Sequence, residues 1–372
     1  MKKHGGTYAI VIASLSFLSV VMVRFSIPSL LPYIISRGAS TAMGGLIVSV
    51  LWVGYTIFQL VGGLIVDKYG YNTIIYVLVL IAMLNALYPS IINYYSILLI
   101  MQFTMGSLMA ISYVALISMV LVNYSRGGLG AGIYQSMFFI GSSISIILSP
   151  YLFSINKYIP FILFSIIILF LVLPISRVPR PNRISGNIVI GPENARILGM
   201  GFIRFSAGFS YIGFLGWSTY FVVRILHVEP VYSGFFAFLS SIGGSVGSVL
   251  GGYVGDKFGY ALPSILSALS LAITICFIAR LMIIYVIIIL MLLLGFLYGF
   301  YAAPSIAISK FAKGVGAASG FLNFMSQLGG SVSPYLIGFL LQYGGFDYAL
   351  LIVGLVSIVS IIVGSTLLIR AV

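Results

Sequence analysis

The chain has 372 residues, of which 61% are hydrophobic and only 6% charged, with a mean hydropathy of +1.20. An ordinary soluble domain is about one quarter charged, so this composition excludes a soluble globular protein. At about 20 apolar residues per spanning helix, there is room for roughly a dozen spans and for no sizeable soluble domain. Eighteen Lys and Arg against five Asp and Glu give a net charge of +13 at pH 7; in so apolar a chain the placement of these charges reports membrane orientation, and nucleic acid is not an expected partner.

Breaks at charges and at Gly, Pro or Asn clusters predict twelve apolar spans. The first six run Tyr8 to Ile35, Ala42 to Val66, Asn72 to Ile92, Tyr95 to Leu121, Gly128 to Phe153 and Tyr158 to Ser176. The second six run Ile197 to Val223, Tyr232 to Gly255, Ala261 to Ala279, Leu281 to Ser309, Val315 to Gln342 and Asp347 to Ile369. The first run is too long for a signal-peptide core and is expected to be retained. Between the sets lies a basic, Pro- and Gly-rich stretch. The expected organisation is therefore a six-helix bundle over 1–176, a cytoplasmic linker over 177–196 and a second six-helix bundle over 197–372.

Cytoplasmic loops carry the excess of Lys and Arg. With twelve spans, Lys2, Lys3, Lys68, Arg126, Arg177, Arg180, Arg183, Arg196, Lys257, Lys310, Lys313 and Arg370 fall on one side, and only Arg37, Lys157, Arg224 and Arg280 on the other. This asymmetry predicts both termini and the linker in the cytoplasm.

The chain also repeats itself. GGLIVDKYGY from Gly62 to Tyr71 returns as GGYVGDKFGY from Gly251 to Tyr260, and SPYL from Ser149 to Leu152 returns from Ser333 to Leu336. The matching helices start on the same side, so the halves are expected to be parallel repeats, an arrangement found in secondary transporters with a site near the bilayer midplane.

The repeated pattern G-x-x-x-D-K-x-G, here Gly63, Asp67, Lys68 and Gly70 and then Gly252, Asp256, Lys257 and Gly259, resembles the signature of the major facilitator superfamily. That signature lies between the second and third helices and again between the eighth and ninth. The resemblance implies an all-α integral membrane fold of twelve transmembrane helices, alternating access, and a gating role for both motifs. A carboxylate at such a helix end is also suited to accept hydrogen bonds from the positive amino-terminal end of a neighbouring helix.

Two ionisable residues fall inside spans, Arg24 and Arg204, while all five acids fall at helix ends or in loops. A buried arginine at mid-bilayer costs about 2.5 to 3.5 kcal/mol on insertion scales. Arg24 precedes Arg37 by 13 residues, about 20 Å along an unbroken helix, too deep for easy snorkelling to the outer surface. Arg204 is nearer the cytoplasmic boundary, where cavity lining and snorkelling are both open. Aligning Tyr33 to Arg37 with Tyr220 to Arg224 sets Arg24 opposite Tyr211, so the arginines form no symmetric pair.

A guanidinium suits carboxylate or phosphate because its fork donates paired hydrogen bonds. Arg24 and Arg204 are therefore candidate binding residues for a small organic anion. Tyr55, Tyr113, Tyr211, Tyr298, Asn323 and Gln327 are candidates to line the same cavity, with Gln59, Gln135 and Tyr301 available beside them. His4 and His227 lie near opposite ends of spans, and neither a metal cluster nor a hydrolytic triad is evident. No G-x-x-x-x-G-K-[ST] loop occurs. The expectation is a monomeric, non-enzymatic carrier in the cell membrane, with no cofactor or metal and with the lipid bilayer and an anionic small molecule as partners. It would work by exchange, uniport or symport. Efflux of lipophilic or drug-like compounds is the rival reading, and a non-transporting membrane sensor a further one.

Overall fold

The computed structural model describes residues 2–30, 33–34, 37–39, 41–70, 73–178, 192–215, 217–218, 221, 230–281 and 283–370. The described residues are mostly helical, with short turns between the helices and no strand among them. The helices are α1 (Lys2–Ser29), α2 (Thr41–Tyr69), α3 (Thr73–Ile91), α4 (Tyr95–Asn123), α5 (Gly127–Ile155), α6 (Ile159–Ser176) and α7 (Pro192–Ala207). They continue with α8 (Pro230–Phe258), α9 (Ala261–Ile278) and α10 (Ile284–Ala307). The last helical run, Val315–Arg370, is broken at Gly345, whose φ of 68° and ψ of −169° no helix contains, and so comprises α11 before it and α12 after it.

Among the described residues, ten stretches are long and apolar enough to cross a membrane. The helices α8 and α11 are rich in Gly and Ser, which permit close packing. In α8, Gly243, Gly247 and Gly251 meet the carbonyls of Leu292, Phe296 and Phe300 in α10, and Gly295 and Gly299 of α10 meet the carbonyls of Ser240 and Gly244. A Cβ at any of these positions would strike backbone, so the two helices require glycine on both sides.

Most boundaries lie within three residues of the sequence expectation, α1 begins at Lys2 rather than Tyr8, and three further differences stand out. The first helix ends at Ser29, not Ile35, with Pro28 in its last turn; a proline there removes a backbone donor and crowds the preceding turn. The expected linker loses its last residues to α7, which begins at Pro192, while 179–191 of it lie outside the described residues. Finally, α7 runs into a π-helical turn, Gly208–Ile212.

The chain forms two compact units. The first comprises Met1–Ser125, Ile140–Asn187 and Lys313–Gly320, and the second Arg126–Phe139, Ile188–Ala312 and Phe321–Val372. The first unit is cored on α4, buried nearly all round from Met105 to Leu121. Its interior polar groups are tied between helices. Gln102 accepts from the Tyr88 hydroxyl (2.5 Å) and donates to the Ile47 carbonyl (3.2 Å), and Asn85 donates to the Phe161 carbonyl (2.7 Å). In the second unit Ser210 of the π turn bonds Ser357 of α12 (2.6 Å).

Candidate functional site

In the first unit, Arg24 of α1 is 2% exposed, and neither its Nε nor its Nη2 has a hydrogen-bond partner. These two nitrogens form one edge of the guanidinium, the side-on fork that receives both oxygens of a carboxylate. The charge is held by aromatic faces. Its Cζ lies 4.1 Å from the Tyr55 ring centroid and 5.6 Å from that of Trp52. Tyr55 and Trp52 are three residues apart on one face of α2. Gly106 lets α4 approach them, since a Cβ there would lie 3.0 Å from the Tyr55 backbone nitrogen. The Tyr113 ring of α4 consequently sits 6.5 Å from Tyr55 and 5.5 Å from Phe17 of α1.

Because α1 stops at Ser29, Arg24 lies five residues, about 7.5 Å by helical rise, from the helix end. Side chains on a helix lean toward its amino terminus, so the Arg24 head is carried back toward the middle of α1.

In the second unit Arg204 of α7 is equally buried, at 2% exposed, but its donors are engaged. Nε donates to the Leu322 carbonyl (2.7 Å), Nη2 to Asn323 Oδ1 (3.1 Å), and Nη1 to Ser305 Oγ (2.7 Å) and the Ala302 carbonyl (3.3 Å). The Tyr301 ring lies 5.7 Å away. The fork that is empty on Arg24 is filled here by α11, and the head is buried rather than snorkelling. Asn323 is thereby an acceptor for Arg204, with its Nδ2 left unpartnered. Tyr211, within the π turn, stacks on Tyr298 at 4.1 Å and bonds Ser240 (2.5 Å). Gln327 is partly buried in α11, one turn after Asn323. The candidate residues thus divide into an Arg24, Tyr55 and Tyr113 group in one unit and an Arg204, Tyr211, Tyr298 and Asn323 group in the other. Trp52, Phe17 and Ser305 were not expected; Trp52 was open to detection from its spacing to Tyr55.

Both copies of the repeated motif have the same geometry. Asp67 accepts from the backbone nitrogens of Gly316 (3.0 Å) and Ala317 (2.8 Å) in the first turn of α11. Asp256 accepts from those of Gly128 (2.7 Å) and Leu129 (2.8 Å) in the first turn of α5. Each carboxylate satisfies two orphan donors and meets the positive helix end. The first glycine of each motif makes room for that turn: a Cβ on Gly63 would sit 2.7 Å from the Gly316 carbonyl, and one on Gly252 would strike the Gly128 carbonyl. The last glycines, Gly70 (φ 75°) and Gly259 (φ 86°), end α2 and α8 in the left-handed region that glycine favours. The lysines between them do not pair with the aspartates. Lys68 and Lys257 lie over the Tyr69 and Phe258 rings at 5.2 and 5.3 Å. Tyr260 donates to Asp256 Oδ1 (2.8 Å); burial, and the carboxylate it bonds, push its phenol well above the ordinary range.

Long apolar helices with buried charges and capped motifs at helix ends define a multi-pass integral membrane protein of the cell membrane. The family model of the Major Facilitator Superfamily matches residues 12–310 and 200–371, and the chain belongs to that family of secondary transporters. Among solved structures, the human organic anion transporter MFSD10 (TETRAN) is similar at 14% identity and a TM-score of 0.82, covering 96% of this chain and 99% of that one. The major facilitator transporter FucP in its outward conformation is similar at 17% identity and a TM-score of 0.77, covering 97% and 98%. A single-substitution variant of the E. coli fucose:proton symporter FucP gives 17% identity and a TM-score of 0.72, covering 97% and 98%. These likenesses concern the fold. No curated protein matches the sequence.

Proposed function

We propose that this chain is a carrier for a small organic anion, working by alternating access, and that Arg24 receives the anion. The observation that carries the reading is the unmatched pair of donors on a buried guanidinium, Nε and Nη2 of Arg24. Burying a charge is costly unless it is paired, and cation–π contacts from Tyr55 and Trp52 offset only part of that cost. An anion supplies the rest. Arg204, in contrast, is assigned to holding α7, α10 and α11 together, and the two motif aspartates to gating.

The carrier is read as two parallel six-helix repeats with both termini in the cytoplasm, acting as a monomer without enzymatic chemistry. Among the described residues no acid lies inside a span away from a helix end, which favours exchange, uniport or co-transport of a proton on the substrate over a buried carboxylate relay. MFSD10 is named an organic anion transporter and FucP a fucose:proton symporter, so the likenesses do not choose the substrate, and the anion reading rests on the arginine. The aromatic surround of Phe17, Trp52, Tyr55 and Tyr113 also suits a lipophilic body, which sustains efflux of lipophilic compounds as a second reading.

The test is uptake of a panel of carboxylates, phosphate esters, sugars and lipophilic cations into proteoliposomes. Parent protein is compared with Arg24→Lys, which keeps the charge and loses the fork, and Arg24→Gln, which loses both. Saturable anion uptake that weakens in Arg24→Lys and vanishes in Arg24→Gln is expected. Anion uptake indifferent to both changes, or uptake confined to sugars or lipophilic cations, refutes the assignment.

A further inference from the structure

One turn beyond Tyr55 on the same face of α2 stands Gln59. It is 0% exposed, and neither its Nε2 nor its Oε1 has a hydrogen-bond partner. Buried side-chain amides in folded proteins are nearly always bonded, and each unmet group costs about 1 to 3 kcal/mol. Thr56 on the same face is also buried with its Oγ1 unpartnered. Trp52, Tyr55, Thr56 and Gln59 follow i, i+3, i+4, i+7 spacing and so form one stripe. The stripe runs from aromatic to polar, with the Arg24 guanidinium over its aromatic end. Residues four apart on a helix have Cβ atoms about 5 to 6 Å apart, so Gln59 begins within a small molecule's length of the ring that carries the cation.

The chemistry of the two groups differs. Arg24 offers a charge and two donors on one edge. Gln59 is neutral and offers one donor group and one acceptor. A second ionised carboxylate accepts only, and would set its charge against Gln59 Oε1 with no cation to balance it. Among the described residues the other intramembrane cation, Arg204, has its fork filled. A hydroxyl or carboxamide, which both donates and accepts, matches Gln59 on both counts.

Resting on the anion reading above, we propose that the substrate is a monocarboxylate bearing a second, neutral hydrogen-bonding group, and that Gln59 is the specificity-determining residue that recognises it. A site built to bond a substrate hydroxyl discriminates strongly against the analogue without it, because its own buried groups are then left unpaired. Dicarboxylates and phosphate esters are excluded by charge, and plain monocarboxylates by the unmet amide.

The experiment measures binding of matched compounds to the purified full-length chain: 3-hydroxybutyrate against butyrate, 4-hydroxybenzoate against benzoate, and succinate and phenyl phosphate as dianions. Parent, Gln59→Met and Arg24→Gln are compared. The hydroxylated member of at least one pair is expected to bind tenfold or more tightly than its plain partner and than either dianion. Gln59→Met is expected to erase that preference while still binding the plain acid, and Arg24→Gln to bind neither. Replacing an unpartnered amide by an apolar side chain of similar length is also expected to raise the melting temperature of the ligand-free protein. Dianions binding as tightly as monoanions, a hydroxyl preference that survives Gln59→Met, or a lowered ligand-free melting temperature in that variant each overturns the proposal. Those results leave Arg24 as anion receptor intact, whereas anion binding untouched by Arg24→Gln removes the broader reading.

Discussion

The Arg24 guanidinium lies 4.1 Å from the centroid of the Tyr55 ring, an aromatic face standing where a carboxylate would neutralise it. A ring face is a partial counter-ion. It lowers the cost of a buried charge without occupying the donors in the guanidinium plane, which remain available to a ligand. A carboxylate in place of Tyr55 would cancel the arginine's charge and close the site to anions.

Tyr55→Phe keeps the face and Tyr55→Leu removes it. A desolvated cation–π contact contributes about 2 kcal/mol, and about 1.4 kcal/mol is a factor of ten in affinity. Anion affinity measured by calorimetry is therefore expected within about twofold of parent for Phe and weakened about tenfold or more for Leu. Equal affinities in both variants would show that the ring does not support the cation.

Arginine stays protonated across the accessible pH range, and the described acids of the membrane region serve at helix ends. Binding of methanesulfonate, which stays ionised throughout, is expected to change less than about twofold between pH 6 and pH 8, a window in which an ordinary carboxylate is already ionised. A tenfold loss across that window would mean that a second titrating group controls the site.

Most of the fold was legible because apolar runs separated by charges fix where helices lie, and the kink at Gly345 falls between the two spans expected there. The end of α1 was misplaced because the apolar run continues past Pro28 to Ile35, so hydropathy alone does not register the proline. The π turn at Gly208–Ile212 left no local signature; a Cβ on Gly208 would strike the Ser326 carbonyl, a contact made by a helix more than a hundred residues away. The two arginines look alike in sequence, each inside a span without an acidic partner. They differ because Ala302, Ser305, Leu322 and Asn323 converge on Arg204 from α10 and α11, and hydropathy does not report such convergence. The aspartate caps were legible in kind, since a carboxylate repeated at matching helix ends has few other uses, but not in which helix each one holds.

Within the first motif, Gly63 and Asp67 act on the same turn of α11. A Cβ at Gly63 would lie 2.7 Å from the Gly316 carbonyl and 2.8 Å from Ala317 Cα. Gly63→Ala is therefore expected to push Gly316 and Ala317 off the Asp67 carboxylate. Asp67→Asn keeps only one of the two acceptor oxygens, turns an NH2 group toward the other backbone N–H and loses the charge, costing about 1.5 to 3 kcal/mol for the lost charge-assisted bond in addition to the weaker helix-end interaction. The two changes together are expected to reduce transport no more than Gly63→Ala alone, a non-additivity diagnostic of one shared contact. Gly70→Ala meets nothing within 4 Å and carries only the strain of its φ of 75°, about 1 to 2 kcal/mol, so its effect is expected to add to either. Additive losses for Gly63 and Asp67 would separate the glycine from the cap.

Arg204 and Arg24 are expected to fail in opposite ways. Removing Arg204 leaves Asn323 Oδ1, Ser305 Oγ and two carbonyls without a buried cation that bonds all of them. Bonds to charged groups contribute about 1.5 to 3 kcal/mol each, and at about 2.1 cal/mol/K of unfolding entropy per residue each kcal/mol is worth about 1.3 °C in a chain of 372 residues. Arg204→Met is accordingly expected to lower the melting temperature in detergent by about 10 °C or more, with the protein that remains folded binding anion at near-parental affinity. Arg24→Met removes a charge whose fork bonds nothing, so its ligand-free melting temperature is expected to hold or rise while anion binding is lost. Arg204→Lys separates charge from geometry: a lysine ammonium does not span Leu322, Asn323 and Ser305 as the planar fork does, so most of the stability loss is expected to persist. A parental melting temperature in Arg204→Met together with lost anion binding would reverse the two roles and place the anion site in the second unit.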